Sequence, residues 1–122
     1  MCILDALILN IDRHSGNFGV LYDNNTMQVQ RMAPVFDNNR SLLFDLDNDQ
    51  LKNVAWCILH CAPRFGTDFI VTARALLTDP IRNDLKNLKM FQFAPHPEIT
   101  MEAERLDRLN RIVAHQLAEI LA

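Results

Sequence analysis

Apolar and polar positions along the chain fall into blocks of different period. Residues 2 to 9 are apolar almost all round, with Asp5 the one charge, which predicts a short buried helix rather than an amphipathic one. No capping residue precedes it, and a buried helix starting at residue 1 leads us to expect further chain before it. A polar loop follows over residues 10–17. "FGVLY" (18–22) and "MQVQRM" (27–32) predict strands, the second from its Met27/Val29 alternation. The "DNNT" between them supplies hairpin chemistry, because Asn tolerates positive φ. In residues 33–43 Pro34 breaks the strand, and an Asp stands directly after two apolar residues.

The remainder reads as helical. Leu51, Val54, Ala55, Ile58 and Leu59 make a helical stripe within residues 47–62, ending before Pro63. "TDFIVTARALL" predicts a second helix. Asp79 and Pro80 form an N-cap and N1 pair that opens a third, with Ile81, Leu85 and Leu88 on one face. A Pro-interrupted connector then leads to Thr100, expected to cap a long last helix whose Leu106, Leu109, Val113, Leu117 and Ile120 share a stripe. No repeat, low-complexity tract or linker divides the chain. The expected architecture is mainly α (α+β), a single helical domain over residues 1–122 carrying one small β-hairpin.

Composition narrows the classes. In 122 residues, 49% are hydrophobic and 22% charged, which fits one globular core. A net charge of -3 argues against a generally basic nucleic-acid surface, so contact with nucleic acid is expected only indirectly. No apolar run reaches the roughly 18–20 residues that span a bilayer, and the N-terminus lacks the basic region and cleavage site of a signal peptide. Three Cys without framework spacing point to a reducing compartment, with the cytoplasm as the expectation. Only three Gly occur, so the chain has no glycine-rich loop of the nucleotide-cradling kind.

The densest chemistry lies in "NIDRHSGNFG". Asp12 and Asn17 stand in the pattern D-x-x-x-x-N, and Asp37 follows after the hairpin. Phosphoryl transfer requires a carboxylate to orient and deprotonate the attacking hydroxyl, and oxygen ligands for the Mg²⁺ that neutralises the phosphates. Protein kinases use the same spacing with a later metal-binding Asp. The same residues also suit turn chemistry, since Asp and Asn side chains bond their own backbone.

"NIDRHSGNFG" followed by "APVFDNNRSLL" resembles the catalytic core of HipA-like serine/threonine kinases, whose pattern is roughly N-x-D-x-H-x-x-N-x-G and then P-x-[FY]-D-x-G. The resemblance covers residues 3 to 43, and the helical remainder is compatible with a kinase-like C-lobe. It implies a bacterial protein kinase, of a kind found in toxin–antitoxin modules and on mobile elements, using ATP and Mg²⁺. By position, Asp12 would be the catalytic base, Asn17 and Asp37 the Mg²⁺ ligands, and Asn10 and His14 supports of the loop. Asn39 departs from the pattern, where the family often has Gly. Phosphoinositide kinases share a D-R-H-x-x-N loop, which keeps a lipid kinase open.

A kinase also needs a phosphate-holding Lys, a partner acid and a covering loop. Only eleven residues precede Asp12, so the expectation is a C-lobe without its N-lobe, incompetent alone and completed by a missing N-terminal lobe or an antitoxin-like partner chain. Its substrate would be a protein. An apolar docking face left uncovered leads to an expectation of self-association. A non-catalytic interaction module, or a DNA-associated protein of a mobile element, are the alternatives. Cys57, His60 and Cys61 share a helix face but lack the fourth ligand that structural zinc takes, so the two cysteines read as buried thiols. Arg105, Arg108 and Arg111, interleaved with acids, read as a solvated helix face.

Overall fold

The computed structural model describes residues 1–122. It is mainly helical with one two-stranded antiparallel sheet. In order the elements are α1 (Cys2–Ile8), β1 (Val20–Tyr22), β2 (Val29–Met32), α2 (Val54–Leu59), α3 (Phe69–Ala75), α4 (Asp79–Lys86) and α5 (Ala103–Leu121), with short 3₁₀ turns at Ser15–Asn17, Gln50–Asn53 and Asn87–Met90. No helix is long and apolar enough to cross a membrane.

The core sits where α1, α3 and α5 pack on one another. Helix α1 inserts Ile3, Ala6 and Leu7, and α5 contributes Leu109, Ile112, Leu117 and Ile120. Ile112 and the buried Gln116 fall outside the stripe expected from the sequence, and Leu106 is only half-buried. Gln116 belongs inside because its Nε2 donates to the Ala6 carbonyl of α1 at 2.8 Å, so a buried amide is satisfied and locks two helices in register.

Several boundaries differ from expectation. The helix expected over 47–62 breaks at Asn53, whose side chain accepts from Trp56 N–H and starts α2 afresh. Its stripe is only partly inside: Leu51 is buried, while Ala55 and Leu59 are exposed. Of the α4 face, Leu85 alone is buried, and Thr78 rather than Asp79 stands at the N-cap, with Asp79 and Pro80 in the first turn. Helix α5 starts at Ala103 behind Glu102, two residues after the expected Thr100 cap. Two of the three arginines on α5 are not solvated. Arg108 is buried and bonds Glu104 and the Asn48 carbonyl, and Arg105 donates to the Leu46 carbonyl, so both fasten the 46–48 segment to the helix. Arg111 alone matches the solvated reading, paired with Asp107.

The hairpin is shorter than expected and pairs Val20 with Met32 and Leu21 with Arg31, with an irregularity at Leu21/Tyr22. Its turn is closed by the Asp23 carboxylate, which accepts from the N–H groups of Asn25 and Thr26; the left-handed residue is Met27, not an Asn. All of its strand residues are exposed, so Met27/Val29 alternation reflects no buried face.

Helix α3 carries a strong start signal. Asp68 accepts from the N–H groups of Ile70 and Val71, satisfying two donors that the first helical turn leaves unpaired. Asp68→Ala is expected to lower stability by about 1 kcal/mol in a urea melt, the usual cost of an N-cap.

Candidate functional site

The polar loop is organised by one buried ion pair. Asp5, on α1, is the lone charge of an apolar helix and is 4% exposed, so it must be paired inside. Arg13 meets it with Nε at 3.1 Å from both carboxylate oxygens and Nη2 at 2.8 Å from Oδ1. The remaining guanidinium donors reach in two directions: Nη1 donates to the Asn17 carbonyl at 2.8 Å and the Phe36 carbonyl at 2.9 Å, and Nη2 to Asn38 Oδ1. One side chain thus joins α1, the loop and the segment that follows the hairpin.

The loop closes on itself through Asn10, His14 and Asn17. Asn10 Nδ2 donates to Asp5 Oδ1, and its Oδ1 accepts from Asp12 N–H. Asn17 Oδ1 accepts from His14 N–H at 2.8 Å while Nδ2 donates to the Asp12 carbonyl at 2.9 Å. His14 Nδ1 accepts from Gly16 N–H, which leaves the proton of the neutral ring on Nε2. Helix α1 has to end where it does because Leu9 turns into the left-handed region at φ 50° and Asn10 N–H folds back onto the Asp5 carbonyl. That answers why a buried helix gives way to so polar a loop: its polar groups serve one another.

The segment after the hairpin lies along the loop. Leu42 N–H donates to the Ile8 carbonyl and Ile11 N–H to the Arg40 carbonyl. Leu9, Asp37, Leu42 and Leu43 all have positive φ, so four of the five such non-glycine residues lie in these two facing segments. Backbone of that kind costs about 1–2 kcal/mol per residue and persists only where surrounding structure holds it. Asn39, the residue that departs from the expected sequence pattern, is not left-handed; Asp37 carries a positive φ instead.

The sequence-derived site residues are therefore distributed as follows. Asp12 and Asn17 share the loop. Asp37 is exposed, and Arg13 grips its neighbours on either side, Phe36 and Asn38, bringing its backbone to the same guanidinium as the Asn17 carbonyl. Asn17 is 2% exposed, with both amide atoms engaged within the loop. As a donor set for Mg²⁺, Asp37 offers a hard, accessible oxygen, and Asn17 Oδ1 keeps one lone pair beyond that given to His14. Both are oxygen donors, the ligand type that Mg²⁺ takes.

Two groups that sequence reasoning missed control Asp12. Arg64 Nη1 lies 2.8 Å from Oδ1, and Arg40 Nη1 3.6 Å from Oδ2. The hydrogen bond from Arg64 is the largest influence on the Asp12 carboxyl; burial opposes it, the charges of Arg40 and Arg64 and the nearby His14 reinforce it, and the carboxyl is held below its ordinary value of 3.8. A depressed carboxylate stabilises the fold above its unfolded pKa and loses that contribution as pH falls through the lowered folded value. Arg64→Ala is expected to move the Asp12 titration, followed by carboxyl-carbon NMR, upward toward 3.8. An unmoved titration would remove Arg64 as the cause. Nothing near Asp12 in the sequence signals a partner 52 residues away.

Cys57 is buried and Cys61 half-buried, and burial, aided by Asp45 and Cys57, pushes the Cys61 thiol up to about 11. A thiol so reluctant to ionise is a poor thiolate ligand. No protein-family model, curated protein or solved structure matches the chain.

Proposed function

We propose that this chain is the catalytic C-lobe of a HipA-like serine/threonine kinase, with the lysine and phosphate-covering loop supplied from outside these 122 residues. The observation that carries the reading is the Arg13 clamp. The D-x-x-x-x-N loop and the residues on either side of Asp37 are bound to one buried guanidinium, which supports a site shared by the two segments. In this reading Asp12 accepts the proton of the attacking protein hydroxyl and orients it, while Asn17 and Asp37 hold Mg²⁺, which when bound offsets the charge of the ATP phosphates. Asn10, His14 and Arg13 keep the loop in shape. The hairpin, with Val20, Tyr22, Val29 and Met32 all about half exposed or more, offers an apolar face beside the loop for the rest of the kinase or for a partner chain.

A second reading has its own observation. Both amide atoms of Asn17 already bond within the loop and Asp12 is held by arginines, which suits an interaction module that keeps the fold without the chemistry. Calorimetric titration with ATP and Mn²⁺ separates the two. The kinase reading expects metal-dependent nucleotide binding that Asp37→Ala weakens at least tenfold, and no label transfer by the chain alone. Absence of metal-dependent binding would leave the interaction module.

A further inference from the structure

Beside Asp12 lies an open cavity of about 470 Å³, walled by Phe44, Trp56, His60 and Cys61, with Arg40 on its rim. Its size is that of a ligand pocket, and its walls are mostly apolar. Trp56 stacks on His60 with ring centroids 3.9 Å apart, and the Arg40 guanidinium stands 5.4 Å over the Phe44 ring, which braces both sides of the opening. Arg40 also reaches Asp12, so the cavity is continuous with the candidate site through one side chain.

The charge around that cavity is unevenly distributed. Arg40 and Arg64 share the single carboxylate of Asp12, so on that side of the cavity two guanidinium groups face one acid. Both arginines are about half exposed, and ion pairs of that kind contribute little, so they exchange readily for an incoming anion. Asp45 lines the same cavity. An acid is therefore favoured at Arg40 and Arg64 and disfavoured at Asp45, which gives the cavity a direction.

We propose that this cavity docks a protein segment carrying a large apolar or aromatic side chain next to an acidic residue. The ring fills the space against Trp56 and Phe44, and the acid takes up Arg40 and Arg64. Resting on the kinase reading, this makes the cavity the subsite that brings an acceptor segment to Asp12, and the acid draws Arg64 away from the carboxylate that must receive the proton.

Trp56 is the chain's only tryptophan and forms a cavity wall, so its fluorescence reports occupancy. The probe is a degenerate dodecapeptide pool with a fixed central Glu-Phe step, compared with pools fixed as Lys-Phe and Glu-Ser. The Glu-Phe pool is expected to shift Trp56 emission and to bind at least tenfold more tightly than either control. Arg40→Ala with Arg64→Ala, checked for folding by circular dichroism, should remove that preference for Glu over Lys. Equal binding of the Glu-Phe and Lys-Phe pools, no binding at millimolar peptide, or an unchanged preference in the double variant would overturn the proposal. Mn²⁺–ATP titration of the same samples reads the kinase assignment separately. Peptide binding without metal–nucleotide binding supports the docking site and defeats the kinase reading, whereas the reverse defeats the docking site alone.

Discussion

Arg13→Met, with Asp5 left in place, is expected to cost about 3–5 kcal/mol, the range for removing one partner of a buried ion pair. The Asp5 carboxylate would remain inside α1 with Asn10 Nδ2 as its only side-chain donor. Set against typical domain stabilities of about 5–15 kcal/mol, that loss brings the chain close to unfolding at ambient temperature. Adding Asp5→Leu should recover a large part of it, because an apolar pair in place of a buried ion pair is often neutral. The carbonyls of Asn17 and Phe36 would still lack their shared donor, so the double variant should fold with a loosened loop. Urea melts followed by circular dichroism test the order of stabilities: wild type, then the double variant, then Arg13→Met. A single variant losing less than about 1 kcal/mol would mean that Arg13 does not fasten the loop.

In the complete phosphotransferase that the proposed function describes, Asp12→Asn is expected to lower kcat by roughly 10²–10⁴-fold, the contribution of a positioned general base. The amide keeps the shape of the carboxylate, so the fold and the KM for ATP should change little. Because Asp12 is partly exposed and its partners Arg40 and Arg64 lie at the surface, the stability effect should be small. Steady-state kinetics on wild type and variant decide the matter. Near-full kcat in the variant would take the base role from Asp12.

The parts of the fold that periodicity governs were legible. An all-round apolar run made α1 a buried helix, and a spacing of three and four placed Leu109, Val113, Leu117 and Ile120 on the inner face of α5. The hairpin was legible as a hairpin, but not its exposure, because two short strands with no covering layer give period-two residues nothing to be buried against. Side-chain capping defeated the rest: Asn53 interrupts an otherwise continuous helical stripe by bonding Trp56 N–H. At the site, Asp12, Asn17 and Asp37 stood out by residue type and spacing. Their supports did not. Asp5 looked like an interruption rather than a partner for Arg13 eight residues on, although a single charge in an apolar helix demands one. Arg64 stands in the connector before α3, 52 residues from Asp12, and spacing along the chain carries no trace of their contact.

Arg13 brings the backbones of Asn17 and Phe36 together, and the central claim is that the side chains of Asn17 and Asp37 then serve one ion. Paramagnetic broadening by substoichiometric Mn²⁺, on isotopically labelled chain with ATP present, reads this directly. The account predicts that the Asn17 side-chain amide and the Asp12 and Asp37 backbone signals fade together, and that Asp37→Ala protects all of them. Broadening confined to Asp37, or scattered over surface carboxylates with Asn17 untouched, would contradict it.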